Sequence, residues 1–525
     1  MSTNDNPNFD TYSQISSKLG FLFRAEQDAT VLLIGHRALK WGEDFKNYFS
    51  VCDETAVFTS DEAKKLNKNN RMYDLIILDA SISQQTDKEE TLRDLREHLS
   101  SKGHMMLIAG NKYSLNKIKT FVNGGVADSL GLSLNRYKKI LKKSGFTSIR
   151  AFLPMPNVND MEEIVSEHIK TVQLPAYYHP IYKIANRCKF YKHIHDAYIF
   201  VSSPASEDGI SYFIEGFQSE LKSVTRRTYK FSLDRFDMRA RGSLVLFVSD
   251  SAGKEKFVVR IAVTPEIDLK IKKNSSWLHF LLANKNVLNE VKNKLPKPVT
   301  DFQYNGKKVY VEEMVSGILA WKMVANNYLL GKIETEAMKF LKALEISTTR
   351  YEYVDKEVYD RFISRDIEKV SSVISRNVAL RVYIENIISY LEKKLIYKWH
   401  RFVFSHGDFG YGNILINPDS GDITGIIDWD GARQLDLPGI DFLNFTIQKN
   451  RICNGSSLHQ EIRCLWSNPK ILDSNQSFDM DFYQIQLSAT VVRYVIRAAE
   501  YPSIFACDVS DFTDALKFIK DSIPA

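Results

Sequence analysis

The chain has 525 residues, of which 44% are hydrophobic, 12% aromatic and 26% charged. Its length is too great for one ordinary hydrophobic core and favours two or three domains, and its composition excludes an extensively disordered chain. A net charge of +6, with lysine and arginine scattered along the chain, excludes the concentrated basic surface of a nucleic-acid-binding protein.

The cysteines are odd in number and widely spaced, which is typical of free thiols in a reducing compartment rather than of disulfides or a zinc site. They are Cys52, Cys188, Cys453, Cys464 and Cys507. The first 17 residues are polar and lack a secretory signal pattern, and no segment reaches the ~18 apolar residues of a membrane helix. The sequence therefore predicts a cytoplasmic protein with no membrane span.

The first ~200 residues alternate short apolar runs with amphipathic stretches, the pattern of a parallel sheet with crossover helices. Strands are predicted at Val31–Gly35, Tyr73–Asp79, His104–Ala109, Phe146–Leu153 and Ala197–Val201, and helices at Leu92–Leu99 and Leu132–Lys143. This α/β pattern predicts a Rossmann-like doubly wound sheet over residues 15–204, after a flexible N-terminus of residues 1–14. Turn-forming residues cluster at 202–209, and residues 205–224 are predicted to be a linker.

After the linker the pattern changes to adjacent short strands followed by helices, an α+β order. Strands are predicted at Leu244–Ser249 and Lys256–Ala262, and a strand pair surrounds Asn305-Gly306. Helical periodicity dominates from Leu319 to Lys398. A small antiparallel sheet followed by helices predicts a bilobal protein-kinase-like fold, with an N-lobe at residues 225–318 and a C-lobe at 319–525.

The most informative segment is Ser405-His406-Gly407-Asp408, with Asn413 five residues after Asp408 and Asp428 fifteen residues after Asn413. Phosphoryl transfer needs one carboxylate to orient the attacking hydroxyl, and an amide and a second carboxylate to hold Mg²⁺. Two carboxylates meeting at the end of apolar strands would repel each other unless a cation lay between them. The alternative, polar turn residues that cap a hairpin, is disfavoured by the flanking apolar strands.

This pattern resembles the aminoglycoside phosphotransferase and choline kinase superfamily over roughly residues 225–525. The resemblance rests on His406-Gly407-Asp408, Asn413 and Ile427-Asp428-Trp429-Asp430. It implies Asp408 as the catalytic base, Asn413 and Asp428 as magnesium ligands, and a weaker metal role for Asp430. It also implies that His406 buttresses the loop and that Asp441, in Pro438-Gly439-Ile440-Asp441, helps to fix it.

The nucleotide-binding part of the resemblance is less regular. Arg260 stands where such kinases place a cation that reaches the phosphates, although an exposed strand arginine remains an alternative. The partner glutamate expected on the next helix is missing, because that stretch reads Asn274-Ser275-Ser276-Trp277. Gly242 lies in the expected phosphate-covering loop, and the backbone of Glu312, Glu313 and Met314 is expected to meet the adenine edge.

The layout of residues 15–204 resembles class I S-adenosylmethionine methyltransferases. A lone Gly35 precedes bulky residues where that family needs several glycines. The second strand, placed at Val57–Ser60, ends without an acid for the ribose, although Asp61 follows it. These departures favour a degenerate methyltransferase-like module that binds or scaffolds over an active enzyme, and they make S-adenosylmethionine a doubtful cofactor.

Together these features predict an ATP- and Mg²⁺-dependent kinase that phosphorylates a hydroxyl of a small molecule, such as a sugar, amino alcohol, aminoglycoside-like or glycan acceptor. The alternative is a bifunctional methyltransferase-kinase, and a non-catalytic pseudokinase is disfavoured because all three catalytic groups are present. The C-terminal helices contain no acid cluster suited to a polycationic acceptor. Arg493 and Arg497, four residues apart, are predicted to lie on a solvated helix face, and the alternative is that they face an anionic or neutral polyol acceptor. The acceptor, the choice of ATP or GTP and the oligomeric state stay open.

Overall fold

The computed structural model describes residues 28–524, apart from residues 40, 56–70, 80–87, 113, 115–130, 156–162, 168–190, 196, 206–208, 227–230, 238–242, 250–254, 263, 305, 325, 365–366, 368–372, 375, 470–478 and 501. These described residues form two compact units. The sheet unit takes the described residues of 28–271 and 299–314, and the C-terminal unit takes those of 272–298 and 315–524.

The sheet unit is built on one twelve-stranded sheet with the order β11-β12-β10-β9-β8-β6-β5-β7-β4-β3-β1-β2. The strands are β1 Thr30–Ile34, β2 Val51–Thr55, β3 Tyr73–Asp79, β4 Leu99–Gly110, β5 Ser148–Met155, β6 Glu163–Ser166, β7 Ala197–Ser203, β8 Ser232–Asp237, β9 Ser243–Ser249, β10 Glu255–Ala262, β11 Pro298–Tyr304 and β12 Lys307–Glu313. The described helices that begin in this unit are His36–Leu39, Gly42–Tyr48, Lys88–Glu97, Leu134–Lys143, Tyr191–Ile194, Gly209–Thr225 and Pro265–Ala283.

Strands β1 to β4 are parallel neighbours, and β1 is buried on both faces. In β1, Val31 and Leu33 belong to one hydrophobic core, whereas Leu32 and Ile34 belong to another. Because side chains alternate across a strand, the two sets lie on opposite faces of the sheet. A parallel sheet covered on both faces reads as a continuous apolar run, which is why β1 and β3 were predictable from the sequence.

The parallel strands and the later antiparallel strands belong to the same sheet. β4, β7, β5 and β6 pair antiparallel in turn, and β6 then pairs with β8 through Glu163↔Asp237, Ile164↔Phe236 and Val165↔Arg235. One core contains residues from both halves, from Val31 in β1 to Val311 in β12. The predicted boundary at residue 204 therefore falls inside one continuous hydrogen-bonded sheet.

Two local predictions are corrected by these elements. Most of the predicted linker is the helix Gly209–Thr225, which buries Ile210, Phe213 and Phe217 in the core of the sheet unit. The second strand is Val51–Thr55, so that Glu54 stands near its carboxyl end. The stretch Val57–Ser60, where that strand was predicted, lies outside the described residues.

The C-terminal unit is mainly helical and holds two short sheets, β13-β16-β17 and β14-β15-β18. Its strands are β13 Ile318–Leu319, β14 Arg350–Tyr353, β15 Trp399–Ser405, β16 Ile414–Ile416, β17 Ile423–Ile426 and β18 Arg433–Asp436. Its longer helices are Asn327–Thr348, Val378–Leu395, Ile440–Asn454, Leu458–Ser467, Met480–Ala499 and Pro502–Ser522, and its shorter ones are Asn289–Lys292, Ala320–Met323, Lys356–Tyr359, Asp360–Ser364 and Trp429–Gly431. Among the helices that the structure describes, none has the length and apolar character needed to cross a membrane.

Candidate active site

The loop between β15 and β16 is held in a sharp turn by Gly407. Its φ is +79°, in the left-handed region that L-residues avoid. A Cβ added at this position would lie 2.1 Å from the carbonyl oxygen of Gly431. Glycine is therefore required here so that the loop can pass close to the 3-10 helix Trp429–Gly431.

Asp441, in the first turn of the helix Ile440–Asn454, fixes the same loop. Its carboxylate accepts hydrogen bonds from the backbone N–H of His406 at 2.5 Å and of Gly407 at 2.9 Å. Burial raises the pKa of Asp441 to about 7, and these two hydrogen bonds act in the opposite direction. Asp441 is therefore a positioning residue, because its carboxylate binds the backbone of the loop rather than a ligand.

His406 joins the loop to the end of β17. Its Nε2 lies 3.0 Å from the carbonyl oxygen of Ile427, and its Nδ1 accepts the backbone N–H of Asp408 at 3.3 Å. This pair of contacts assigns the neutral tautomer with the proton on Nε2. Burial lowers the pKa of His406 to about 4. His406 is therefore a buttress, packed with its ring 4.5 Å from that of Trp429.

Asp408 and Asn413 are in direct contact across the loop. The Nδ2 of Asn413 donates to the backbone carbonyl of Asp408 at 2.9 Å and to its Oδ2 at 3.3 Å. The backbone carbonyl of Asn413 accepts the N–H of Ile427 at 2.9 Å, which brings the end of β17 to the same place. Hydrogen bonds thus connect Asn413 to Asp408 on one side and to Ile427 on the other. Asp428 is the residue that follows Ile427.

Asp428 has a left-handed backbone, with φ 68° and ψ 62°. For a residue other than glycine this conformation costs about 1–2 kcal/mol. The following residue compensates, because the N–H of the buried Trp429 donates to Asn274 Oδ1 at 2.7 Å and its indole N–H donates to Ile426 at 3.0 Å. Strain at a residue that is held firmly on both sides is common at functional sites.

The pKa of Asp408 is affected by burial and by three neighbouring charged side chains. Its side chain is 28% exposed, and burial raises its pKa to about 6. Arg497 opposes that rise, whereas Asp428 and Asp430 add to it. Arg497 lies 3.6 Å from Asp408 Oδ2 and 3.0 Å from Asp430 Oδ1.

The predicted solvated face of Arg493 and Arg497 is wrong. Arg493 is buried, forms an ion pair with the fully buried Asp436, and lies over the ring of Phe362 at 4.4 Å. Arg497 is 21% exposed and reaches the carboxylates beside the loop. The four-residue spacing did place both arginines on one face, but that face points to the site.

A cavity of about 230 Å³, called here the Asp408 pocket, lies beside the loop. Besides the loop residues, it is lined by the helices Ile440–Asn454, Met480–Ala499 and Pro502–Ser522. It therefore gives a small molecule access to the Asp408 carboxylate.

Three predicted nucleotide-binding residues lie at the end of the sheet unit. Arg260 in β10 forms an ion pair with Glu312 in β12, Nε to Oε1 at 3.2 Å. An acidic partner is thus supplied by the neighbouring strand rather than by the expected helix residue. The N–H of Met314 donates to Lys256 at 2.8 Å, so this donor is already used within the sheet.

Two further nucleotide-binding residues were predicted, Glu313 and Gly242. Glu313 is the exposed last residue of β12. Gly242, with the rest of its loop at 238–242, lies outside the described residues. The contacts of Asn274 and Arg497 were missed, because nothing local in the sequence links Asn274 with Trp429 or Arg497 with Asp430.

The described residues contain no cluster of three or more His, Cys, Asp or Glu side chains suited to a metal. Magnesium does not need one, since it is usually held by one or two carboxylates together with phosphate and water. The Nδ2 of Asn413 is engaged with Asp408, which leaves its Oδ1 as the ligand-type oxygen. Asn413 and Asp428 thus carry oxygens of the type that magnesium binds.

A loop with an oriented carboxylate, an amide and a second carboxylate is typical of the phosphotransferase class of protein. Residues 241–448 match the family model described as the phosphotransferase enzyme family. Over these residues the chain matches that phosphotransferase family, and the protein is a phosphotransferase that acts on a hydroxyl acceptor. The search of curated proteins finds no match.

Solved structures give weaker likenesses. An aminoglycoside phosphotransferase from Streptomyces rimosus is 14% identical, with a TM-score of 0.33 over 53% of this chain and 96% of that chain. A microcompartment-associated aminopropanol kinase is 13% identical, with a TM-score of 0.35 over 59% and 96%. WbdD, solved with the kinase inhibitor LY294002, is 10% identical, with a TM-score of 0.24 over 92% and 88%. No substrate follows from likenesses at this level.

Proposed function

We propose that the protein transfers a phosphoryl group from Mg²⁺-ATP to a hydroxyl of a small molecule, with Asp408 as the catalytic residue. The observation that carries the proposal is the double hydrogen bond from Asn413 to Asp408, beside the strand end that bears Asp428. This linkage supports the roles that the spacing of the three residues predicted. Asp408 accepts the hydrogen of the attacking hydroxyl and orients its oxygen.

Asn413 and Asp428 are proposed to hold magnesium. Bound there, the ion would neutralise the charge of the triphosphate. The mutual effect of the carboxylates supports this role, because Asp428 and Asp430 both add to the raised pKa of Asp408 after burial. A divalent cation is the simplest way to relieve such repulsion. Asp430 already forms an ion pair with Arg497.

Arg260 is proposed to neutralise phosphate charge, with Glu312 holding its guanidinium in place. Because the Met314 N–H is engaged, the adenine edge is proposed to meet the carbonyl of Met314 and the backbone of Glu312 and Glu313. Gly242 keeps its proposed place in the phosphate-covering loop. These assignments concern nucleotide affinity rather than the transfer step.

The first part of the sheet is proposed to be a Rossmann-like, methyltransferase-like module that helps to recognise the substrate. Its order β2-β1-β3-β4 with parallel pairing, and Gly35 at φ +94° after β1, support that proposal. One observation favours the bifunctional alternative, because Glu54 near the end of β2 provides an acid where the ribose would bind. Glu54 is, however, paired with Lys46 at 2.6 Å.

Isothermal titration of the full chain with S-adenosylmethionine separates these two roles. Micromolar binding would favour the bifunctional enzyme. Absence of binding at millimolar concentration would leave recognition as the role of the module.

The kinase proposal is tested with Asp408→Asn in the full chain. We expect Mg²⁺-ATP to raise the melting temperature of both proteins, because ligand that binds the native state stabilises it. Phosphate transfer to an acceptor should be lost in the variant alone. A variant that still transfers phosphate at the wild-type rate would refute the assigned role of Asp408.

A further inference from the structure

The charges that line the Asp408 pocket are already paired within the protein. Arg451 forms an ion pair with Asp508 at 3.0 Å and donates to the hydroxyl of Tyr494 at 2.7 Å. Asp441 accepts two backbone N–H groups, as described above. Among the described residues that line the pocket, Asp441 and Asp508 therefore have partners that a ligand would have to displace, and Asp408 lies 3.6 Å from Arg497.

A polycationic acceptor would need several carboxylates at this surface, and it would also meet the arginines of the wall. The lining contains three arginines, namely Arg451, Arg493 and Arg497. Their guanidinium groups are bound to Asp508, Asp436 and Asp430, respectively. Neither a strongly cationic nor a strongly anionic ligand finds an open counter-charge, so the lining favours an uncharged ligand.

Uncharged hydrogen-bonding groups make up the rest of the polar lining. The Tyr494 hydroxyl accepts a hydrogen bond from Arg451, so its own proton is left to donate. The Thr490 hydroxyl donates to the carbonyl of Gln486 at 2.8 Å, which leaves its oxygen lone pairs to accept. Asn444 and Gln448 add amide groups. Such a set of donors and acceptors suits several hydroxyls of one molecule.

The volume of the Asp408 pocket limits the size of the ligand that it can enclose. Pockets that enclose drug-sized ligands measure about 300–1,000 Å³. The Asp408 pocket, at about 230 Å³, is smaller. It is suited to one sugar-sized ring, while a molecule of several rings would extend outside it.

We propose, on the basis of the kinase function above, that the acceptor is an uncharged polyol of about one sugar ring, bound by Tyr494 and Asn444 with one hydroxyl at Asp408. In the transfer, a bond forms between that hydroxyl oxygen and the γ-phosphorus, and the bond from the γ-phosphorus to the β–γ bridging oxygen breaks. ADP leaves with the bond's electron pair, and the hydroxyl proton passes to Asp408. The polyol is either free or the terminal unit of a longer molecule.

The first test measures phosphate transfer from Mg²⁺-ATP by the full chain to a matched panel. The panel holds neutral monosaccharides and their methyl glycosides, neutral oligosaccharides, amino alcohols and streptomycin. We expect transfer to neutral sugars, and turnover of oligosaccharides alone would identify a terminal unit as the source. Preferred turnover of streptomycin or an amino alcohol, or no turnover of any sugar, would overturn the polyol inference.

A separate measurement tests the kinase proposal. Failure of the kinase function can therefore be distinguished from failure of the polyol inference. If Mg²⁺-ATP leaves the melting temperature unchanged and no member of the panel is phosphorylated, the kinase function itself fails. If a charged acceptor is phosphorylated and Asp408→Asn abolishes that transfer, only the polyol inference fails.

The second test uses Tyr494→Phe, which removes one hydroxyl from the pocket wall. We expect the KM for the best neutral sugar to rise about 10-fold while the KM for ATP stays the same, since one site hydrogen bond is lost. Tyr359→Phe is the matched control, because its hydroxyl donates to the carbonyl of Ile388 away from the pocket. An unchanged sugar KM in Tyr494→Phe, or equal changes in both variants, would remove Tyr494 from acceptor binding.

Discussion

Asn413 holds Asp408 at two atoms, through hydrogen bonds from one amide nitrogen to the backbone carbonyl and to the carboxylate. The backbone atom fixes the turn, and the carboxylate atom fixes the rotamer of the side chain. The same residue accepts the N–H of Ile427 with its own carbonyl. Asn413 therefore sets the position of the proposed base relative to the proposed metal ligand Asp428.

Asn413→Ala should lower kcat for phosphate transfer about 10²-fold, because a displacement of about 1 Å at a reacting group costs that much. The Mg²⁺ concentration needed for half-maximal rate should also rise. Initial rates over a magnesium series check both effects. Asn386→Ala is the control, since Asn386 is exposed and donates only to Val382 in its own helix. Wild-type kcat and magnesium dependence in Asn413→Ala would contradict the assignment.

Gly407→Ala should destabilise the C-terminal unit by about 2–4 kcal/mol. The new Cβ combines a left-handed backbone with a contact of 2.1 Å to the carbonyl oxygen of Gly431. Gly412→Ala in the same loop is the matched control, because a Cβ there meets nothing within 4 Å. Urea unfolding of both variants measures the difference. Equal free energies of unfolding for the two variants would show that the turn at Gly407 relaxes.

His406 should make the free energy of unfolding depend on pH. Its pKa falls from an ordinary 6.5 to about 4 on folding, chiefly through burial. Between these values the unfolded chain binds a proton that the folded chain refuses, so the stabilisation is full above pH 6.5 and is lost as the pH falls towards 4. The loss amounts to about 3 kcal/mol.

The comparison with His406→Gln isolates this effect from other titrating groups. Asp441 has the opposite dependence, because its raised pKa of about 7 makes folding less favourable as the pH rises from 3.8 to 7. Since Asp441 is present in both proteins, it largely cancels in their difference. The stability advantage of the wild type over His406→Gln should shrink between pH 6.5 and pH 4. A constant difference would mean that the pKa of His406 is the same in the folded protein as in the unfolded chain.

The sequence predicted those strands that are marked by a run of apolar residues. It did not predict contacts between residues that are far apart in the chain. β3 was predicted at both of its ends, because Leu75–Leu78 is a continuous apolar run between polar residues. The ion pair of Arg493 with Asp436 joins residues more than fifty positions apart, and both residues look like surface charges when taken alone. The helix Gly209–Thr225 was readable, since Ile210, Phe213 and Phe217 recur at helical spacing. The turn-forming residues at 202–209 end before or at the start of this helix and do not extend into a linker.

The single twelve-stranded sheet predicts that the kinase part will not fold without the preceding half. Removing residues 1–204 would delete β6 and leave the backbone of β8 without its partner at Glu163–Val165. It would also expose the core that runs from Val31 to Val311. We expect a chain of residues 205–525 to be insoluble or to lack a cooperative thermal transition, and circular dichroism with thermal melting checks this. The full chain is the control. A soluble fragment that melts cooperatively and binds Mg²⁺-ATP would show that the antiparallel strands β8 to β12 form an independent lobe.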